Sequence, residues 1–237
     1  MWQANVFTAF PEAFPGNLGV SMIGKALQRA KWELNLIDLK KFPAKYDRID
    51  DTVCGGGPGM VLSPLTFEKA FESLPQNSRN MRKIYFSPRG RSLTQKDINQ
   101  ISKESGVIML CGRYEGADQR IIDSYGMEEV SVGDFVLLGG EVAAMVIIEA
   151  CVRLLDGIVG DAKSIEDDSF QCCLLEHDQY TKPQNFNGRA VPEILLSGNH
   201  EKIEKFRSDQ AKDLTKKRRF DLWAKYIEQE MQSLRKI

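Results

Sequence analysis

The chain has 237 residues, of which 42% are hydrophobic and 27% charged, and a formal net charge of −1. This composition is that of an ordinary globular protein and excludes a low-complexity chain, and no apolar stretch approaches the roughly 20 residues that a membrane-spanning helix needs. Five cysteines and two histidines without ligand-like spacing predict no structural metal, so we expect a cytoplasmic protein with reduced cysteines and no membrane partner.

Short apolar runs alternate with amphipathic stretches through the first two-thirds of the chain, a pattern typical of an α/β domain. The predicted strands are residues 4–10, 33–39, 83–87, 107–111 and 129–132. The predicted helices are residues 20–31, 64–73, 94–102, 118–124 and 141–155. Ser63 before Pro64, and Thr94 three residues before Asp97, predict helix N-caps.

The composition changes after residue 160. Residues 161–170 are polar and acidic, without a useful apolar period, which indicates a mobile linker. The sequence then becomes helical and charged, and from Glu201 to Ile237 eleven Lys or Arg residues stand against seven Asp or Glu. The C-terminal segment is therefore the basic part of the chain.

Three predicted strands run into glycine-containing loops: Ser87-Pro-Arg-Gly90, Cys111-Gly-Arg-Tyr-Glu-Gly116 and Val132-Gly-Asp-Phe-Val-Leu-Leu-Gly-Gly140. Any one of them alone is most simply a turn. Because ligands bind beyond the carboxyl ends of strands in open α/β sheets, the three together favour one shared cofactor pocket. No G-x-G-x-x-G follows a strand, so the sequence does not support a dinucleotide site.

A fourth glycine-rich segment, Asp50-Asp-Thr-Val-Cys-Gly-Gly-Gly-Pro-Gly-Met60, lies between regular elements. It is either a long flexible turn or a loop that wraps a ligand or an RNA base. Two adjacent carboxylates and four glycines favour the second interpretation.

Eight blocks in order resemble the TrmD family of bacterial tRNA (guanine-N1)-methyltransferases, of the SPOUT class. They are Gly55-Gly-Gly-Pro-Gly-Met60, Tyr85-Phe-Ser-Pro88, Gly112-Arg-Tyr-Glu-Gly116, Val132-Gly-Asp-Phe135, Gly139-Gly-Glu141, Glu166-Asp-Asp-Ser-Phe170, Tyr180-Thr-Lys-Pro183 and Leu195-Leu-Ser-Gly-Asn-His200. The match runs from Met1 to about Arg207.

The resemblance implies a SPOUT-type parallel sheet with a deep trefoil knot and a small C-terminal helical domain. It implies three parts: a knotted, S-adenosylmethionine-binding catalytic domain at 1–160, a flexible linker at 161–172, and a helical tRNA-binding domain at 173–237. It further implies a homodimer with active sites at the subunit interface, a dependence on Mg²⁺, and methyl transfer to N1 of guanosine 37, just 3′ of the anticodon.

Two residues match the family's catalytic positions. Asp168 corresponds to the general base that removes the N1 proton, and Arg153 to the cation that stabilises negative charge on guanine O6. Without the resemblance, Asp168 would be interpreted as a solvated linker acid and Arg153 as a helix-end ion pair.

The resemblance also implies the cofactor-binding residues. They are Tyr85, Phe86, Ser87, Pro88, Gly90, Gly112, Arg113, Tyr114, Glu115, Gly116, Ser131, Val132, Gly133, Phe135, Leu137, Leu138, Gly139, Gly140 and Glu176. Of these, Glu115 and Glu176 are candidates to bind the methionyl ammonium group, and a solvated surface charge remains the alternative for Glu176.

For RNA binding, the predicted residues are Asp50, Asp51, Gly57 and Gly59 in the glycine-rich segment and Lys216, Arg218 and Arg219 in the C-terminal basic run. The two aspartates are candidates to read a guanine edge, and the basic residues to contact phosphates. A solvated helix face is the alternative for the basic run.

Two alternative functions are a ribose 2′-O-methyltransferase of the same class and a non-catalytic tRNA-binding module. The 55–60 and 166–170 blocks disfavour the first, and Asp168 with Arg153 disfavours the second.

Overall fold

A computed structural model describes residues 1–159, 169–170 and 172–234. The chain divides into two compact units, residues 1–160 and 161–237. The regular elements of the first unit are β1 (Trp2–Thr8), three 3₁₀ turns (Pro11–Ala13, Gly16–Gly19 and Leu39–Lys41), α1 (Ser21–Gln28), β2 (Trp32–Asp38), β3 (Asp50–Thr52), β4 (Met60–Leu62), α2 (Pro64–Glu72), β5 (Arg82–Ser92), α3 (Gln95–Ile101), β6 (Gly106–Leu110), α4 (Gln119–Tyr125), β7 (Glu128–Ser131) and α5 (Glu141–Arg153).

The first unit is built on a five-stranded sheet in the order β2-β1-β6-β5-β7, in which every neighbouring pair is parallel. The central strand β6 is buried along its whole length. Its side chains alternate between two cores, since Val107 and Met109 pack on one face while Ile108 and Leu110 pack on the other. The α/β prediction is confirmed, with helices covering both faces of the sheet.

The two cores differ in character. The first is mainly aliphatic, with α5 residues such as Ile147 and Ile148, and also contains the aromatic residues Trp2, Trp32 and Phe86. The second contains an aromatic cluster in which the rings of Phe7, Phe67 and Tyr125 lie within about 5 Å of a neighbour, centroid to centroid. Aromatic pairs at these separations add stabilisation beyond their buried area.

All five predicted strands and all five predicted helices of this unit are present, with ends that shift by a few residues. The predicted Thr94–Asp97 capping box is confirmed, since each side chain bonds the other residue's backbone N–H. The predicted Ser63 cap is wrong: Ser63 occupies the N-cap position of α2, but its side chain makes no capping hydrogen bond. The short strands β3 and β4 were not predicted.

The second unit contains the two-residue strands β8 (Asn185–Phe186) and β9 (Arg189–Ala190) and the helices α6 (Glu193–Leu196), α7 (His200–Arg218) and α8 (Phe220–Leu234). Asn199 caps α7, because its side-chain oxygen accepts the Lys202 N–H. Asparagine is among the residues preferred at this position. The stacked rings of Trp223 and Tyr226 lie 5.5 Å apart on α8. All helices that the structure describes are too short or too polar to span a bilayer.

Candidate active site

The three glycine-containing loops converge at one edge of the first unit. They follow β5, β6 and β7, and these strands are neighbours in the order β6-β5-β7. Since the strands are parallel, their carboxyl ends meet at the same edge. The sheet topology therefore brings together three segments that are separated by up to about 50 residues in sequence.

The first loop is an excursion from the middle of β5. Phe86 and Arg91 are both in register with Val130 of β7, so the four intervening residues leave the sheet and return to the same point. Ser87 stabilises this loop because its buried hydroxyl accepts the N–H of Arg89 at 3.2 Å. The next residue, Pro88, has no backbone N–H. Its position outside the strand ladder therefore leaves no hydrogen-bond donor unpaired.

The second loop packs around Tyr85. The buried Tyr85 hydroxyl accepts the Ala117 N–H at 3.0 Å, and burial raises the pKa of this phenol, which keeps it neutral. Gly116 has a φ of +100°, and a Cβ there would lie 2.4 Å from the Tyr85 oxygen. Only glycine allows both this backbone conformation and this close approach.

The third loop returns to the second. Ser131 begins the turn by donating a hydrogen bond to the Gly133 carbonyl at 2.9 Å. Gly139 then forms a β-bridge with Arg113, and the Gly140 N–H donates to the Gly112 carbonyl at 3.1 Å. A Cβ on Gly140 would lie 2.8 Å from the Cα of Cys111, so the start of α5 contacts the end of β6 directly.

Glu141 connects these loops to the sheet. Its carboxylate is almost fully buried, accepts the Thr8 hydroxyl of β1 at 2.8 Å, and pairs with the Arg113 guanidinium at 3.0 Å. Arg113 also lies over the ring of Phe10, 4.3 Å from its centroid. A buried carboxylate is tolerated here because a hydroxyl and a guanidinium both satisfy it.

The three loops line a cavity of about 740 Å³, which we call the larger cavity to distinguish it from a second one described below. Its volume is in the range of sites for small molecules and cofactors. The predicted cofactor-binding residues that line it are Tyr85, Phe86, Ser87, Pro88, Gly112, Arg113, Tyr114, Glu115, Gly116, Ser131, Val132, Gly133, Phe135, Leu137, Leu138, Gly139 and Gly140. Seventeen of the nineteen predicted residues therefore surround one space.

A smaller cavity of about 300 Å³ adjoins the larger one. Arg113 and Tyr114 contribute to the walls of both cavities. The smaller cavity is also lined by Phe10, Arg48 and Asp50, so it presents an aromatic ring, a cation and a carboxylate. Such a set suits a planar polar group more than an apolar ligand.

The comparison with known families agrees with this geometry. The family model for tRNA (Guanine-1)-methyltransferase TrmD matches residues 2–225. The chain belongs to the TrmD family. Proteins named tRNA (guanine-N(1)-)-methyltransferase are similar to it over nearly their whole length: that of Ruegeria pomeroyi is 48% identical over 228 residues, covering 95% of this chain and 94% of the relative. That of Rhodopseudomonas palustris strain TIE-1 is 50% identical over 224 residues, covering 94% and 90%.

Two residues predicted from the TrmD resemblance do not line the larger cavity. Gly90 packs against β7, where a Cβ would lie 2.4 Å from the Val130 nitrogen, so its small size serves the sheet. Glu176 belongs to the second unit, where its N–H donates to the Ser169 hydroxyl and its carboxylate accepts from Gln179. The ammonium-binding role of Glu176 stays a prediction.

Several residues that line the larger cavity were not predicted. Most of them are sequence neighbours of predicted residues, namely Arg89, Ala117, Asp118, Gln119, Val130, Val136 and Ala143. The others come from the hairpin of β3 and β4, namely Thr52, Val53, Cys54 and Val61. Adjacency to a predicted block could have identified the first group, whereas the second depends on tertiary structure.

The glycine-rich segment is a β-hairpin anchored to the second loop. The Leu62 N–H donates to the Gly116 carbonyl, and the Glu115 N–H donates to the Met60 carbonyl. Gly59 faces the Glu115 side chain, while Gly57 has open space around it. The hairpin therefore forms part of the wall of the larger cavity, as expected of a loop that wraps a ligand.

The two aspartates of this hairpin have different surroundings. Asp50 is paired with Arg48 at 3.4 Å and lines the smaller cavity. Asp51 is exposed, accepts its neighbour Thr52's N–H at 2.7 Å, and lines neither cavity. Asp50 is therefore the better placed of the two to read a bound base.

Of the two predicted catalytic residues, the structure describes Arg153, which lines neither cavity. Arg153 is the last residue of α5, so it lies about 18 Å along the helix axis from Glu141, at 1.5 Å per residue. Asp168 lies outside the described residues. Within one chain, the cofactor loops and Arg153 are thus at opposite ends of one helix.

The predicted phosphate-binding residues of the second unit also differ among themselves. Lys216 and Arg218 are exposed in the last turn of α7. Arg219 makes two hydrogen bonds to the Asp221 carboxylate, at 2.8 and 2.6 Å, and lowers the pKa of Asp221 to about 2. The charge of Arg219 is therefore already balanced within the chain, and the phosphate-binding role of the three residues stays a prediction.

Replacing Glu141 with glutamine tests whether its charge holds the loops in place. Glu141→Gln leaves the Arg113 guanidinium without its carboxylate, so we expect the free energy of unfolding to fall by about 2 kcal/mol. This is less than the usual cost of breaking a buried ion pair, because the Arg113 side chain is partly exposed. We also expect the dissociation constant for S-adenosylhomocysteine to rise about tenfold, equivalent to about 1.4 kcal/mol. Urea denaturation and calorimetric titration measure the two quantities.

The matched control is Glu12→Gln, which removes a carboxylate from an exposed pair with Lys40 at 3.9 Å. This change should cost less than about 0.5 kcal/mol and leave ligand affinity unchanged. Equal behaviour of the two variants would contradict the role given to Glu141.

Proposed function

We propose that this chain is a tRNA (guanine(37)-N1)-methyltransferase that transfers a methyl group from S-adenosyl-L-methionine to N1 of the guanosine just 3′ of the anticodon. The observation that carries the proposal is the larger cavity, whose walls are the three loops that match the TrmD pattern. The similar proteins of Ruegeria pomeroyi and Nitrobacter winogradskyi, 48% and 49% identical, are named tRNA (guanine-N(1)-)-methyltransferase.

The residues of the larger cavity fit this cofactor. Phe86, Val132 and Leu137 supply apolar surface for an adenine ring, and the glycine-containing loops expose backbone polar groups beside it. Glu115 and Asp118 supply carboxylates for the ammonium group or the ribose hydroxyls. S-adenosylmethionine supplies the electrophilic methyl group, and the protein's contribution is position and charge.

The smaller cavity fits a nucleobase beside the cofactor. Arg113 and Tyr114 belong to both cavities, so ligands in the two would lie next to each other. The Asp50 carboxylate can accept a hydrogen bond from the exocyclic amino group of guanine, which adenine lacks at that position. An unpaired base of the anticodon loop can enter such a site at low energetic cost.

The reaction requires a base and a stabilising cation. Guanine N1 carries a proton at neutral pH, and Asp168 is the proposed acceptor of that proton, a role that contributes a factor of roughly 10²–10⁴. Negative charge then develops on O6, and the Arg153 guanidinium can stabilise it with directed hydrogen bonds.

The distance between Arg153 and the cofactor loops supports a homodimer with shared active sites. Because about 18 Å of α5 separates the two within one chain, an Arg153 that acts at the larger cavity must come from the partner subunit. An apolar face is available for the contact: Val142 and Val146, one turn apart on α5, are about half exposed, and Leu138 before them is 90% exposed.

We also propose a trefoil knot in the first unit and a tRNA-binding role for the second. The segment after β7 returns to the loop after β6, where Gly139 bridges to Arg113, before α5 begins; this path supports a deep trefoil knot. The second unit, with exposed Lys216 and Arg218, is the proposed tRNA-binding domain, and the enzyme would act in the cytoplasm where tRNA is processed.

Mg²⁺ has no place in the derived steps. Among the residues that the structure describes, no group of three His, Cys, Asp or Glu side chains could hold a metal ion.

A methylation assay with product mapping tests the proposal. Purified protein, S-adenosylmethionine and unmodified tRNA carrying guanosine 37 should yield 1-methylguanosine, detected by mass spectrometry of nuclease digests.

The variant Asp168→Asn tests the assignment of the base. It should lower turnover by a factor of roughly 10²–10⁴ while S-adenosylhomocysteine still binds. The neighbouring change Asp167→Asn is the matched control and should retain near-normal turnover. A methyl group on ribose, or none, would refute the proposed reaction, and an active Asp168→Asn would refute the assignment of the base.

A heterodimer tests whether active sites are shared between subunits. Arg153→Gln should be inactive with an intact larger cavity, and Pro88→Trp should be inactive because the indole fills that cavity. The two variants can be co-expressed with different tags and purified as a mixed dimer. This mixed dimer should have about half of the wild-type activity, because one of its two sites combines an intact cavity with an intact Arg153. Each homodimer serves as a control. A mixed dimer as inactive as its parents would show that each chain carries a complete site.

A further inference from the structure

A short hairpin in the second unit contains none of the proposed cofactor-binding, catalytic or phosphate-binding residues. It is formed by β8 and β9, within residues 180–192, and we refer to it as the 185–190 hairpin. The segment 180–192 contains two basic residues, Lys182 and Arg189, and no acidic residue. The nearest acidic residues, Asp178 and Glu193, flank this segment, so the stretch between them is cationic.

Hydrogen bonds close the hairpin at its turn and at its open end. Asn187 and Gly188 form its two-residue turn with φ values of +52° and +79°, the pattern of a type I′ turn. The Asn185 side chain accepts the Gly188 N–H at 3.0 Å, and the Val191 N–H donates to the Gln184 carbonyl at 2.8 Å. The first bond closes the turn and the second extends the pairing beyond the four strand residues, so the backbone that carries Phe186 and Arg189 is bonded at both ends.

The tip presents an aromatic ring beside a cation. Phe186 and Arg189 are directly opposite each other in the antiparallel pair, so their side chains lie on the same face. Phe186 is 65% exposed, and Arg189 is exposed. Within the described residues, neither Lys182 nor Arg189 makes an ion pair.

This combination matches the way proteins bind unpaired nucleotides. An aromatic face stacks on a base, and a neighbouring guanidinium contacts the phosphate of the same or the next nucleotide. Unlike Arg219, which is balanced by Asp221, Arg189 keeps its full charge for a ligand. The absence of acidic residues from segment 180–192 favours a polyanion over a protein surface of mixed charge.

We propose that the 185–190 hairpin binds single-stranded RNA of the tRNA substrate, with Phe186 stacked on an unpaired base and Arg189 on an adjacent phosphate. This inference rests on the proposed function for its substrate. It adds a binding surface separate from the basic turn of α7, and this surface combines base stacking with charge.

Binding of unmodified tRNA, measured by filter retention at several salt concentrations, tests the inference. Phe186→Ala should raise the dissociation constant about tenfold, within the range for loss of one stacked base. Phe186→Trp should stay near wild type and Phe186→Leu should resemble Phe186→Ala, because stacking needs an aromatic ring. Arg189→Gln should reduce the slope of log K against log salt by about 0.7–0.9, the value for one phosphate contact.

The matched control for charge is Arg29→Gln. Arg29 is an exposed arginine after α1, at the edge of the sheet where strands begin, opposite the larger cavity. It should leave both affinity and salt slope unchanged. All Phe186 variants should bind S-adenosylhomocysteine as wild type does, since Phe186 does not line the larger cavity.

The outcomes separate this inference from the proposed function. If wild-type protein makes 1-methylguanosine but Phe186→Ala and Arg189→Gln bind tRNA with wild-type affinity and slope, the inference is wrong and the proposed function stands. A change in sedimentation coefficient for Phe186→Ala would show that the hairpin contacts a second copy of the chain, which also overturns the inference. Wild-type protein that binds tRNA through the hairpin without methylating it would instead overturn the proposed function alone.

Discussion

The buried carboxylate of Glu141 is the constraint on which the site depends. It lies where β1, the loop after β6 and the start of α5 meet, and it is satisfied by Thr8 and Arg113 together. An isolated carboxylate at this depth would be costly, so the loop that carries Arg113 must stay where it can neutralise the charge. Arg113 in turn forms part of the wall of both cavities. One buried interaction therefore fixes the boundary between the proposed cofactor and base sites.

The structure divides the proposed reaction between two ends of one helix. The start of α5 closes the larger cavity, and Arg153 ends the same helix about 18 Å away. If Arg153 acts as proposed, a single chain would be incomplete as a catalyst, and the exposed apolar residues Leu138, Val142 and Val146 would supply a surface for a second copy. Assembly would then complete the site and cover the apolar surface in one step. On the proposed function the second unit would supply charge for the RNA and, on our inference, an aromatic platform.

Much of the first unit could be predicted from sequence because its strands are buried on both faces and its helices begin at recognisable residues. The 107–111 run and the Thr94–Asp97 cap are examples in which local pattern and final structure agree. The continuation of β5 beyond Gly90 could not be predicted, since Pro88 and Gly90 resemble a strand end and only pairing of Arg91 and Ser92 with β7 restores the strand. The β3–β4 hairpin was missed for a similar reason: Asp-Asp-Thr has low strand propensity, and its partner strand is held by Gly116. Likewise, nothing in the sequence distinguishes the buried Glu141 from a solvated helix-start acid.

Hydrogen exchange measured by mass spectrometry, with and without saturating S-adenosylhomocysteine, tests the central claim most directly. We expect slower exchange in three separate segments, residues 85–90, 112–119 and 131–140, because a ligand in the larger cavity would contact all three loops at once. Residues 26–32, at the opposite edge of the sheet, should exchange at the same rate in both samples. Protection confined to segments outside these loops, under conditions where calorimetry shows the ligand bound, would contradict the assignment of the cavity as the cofactor site.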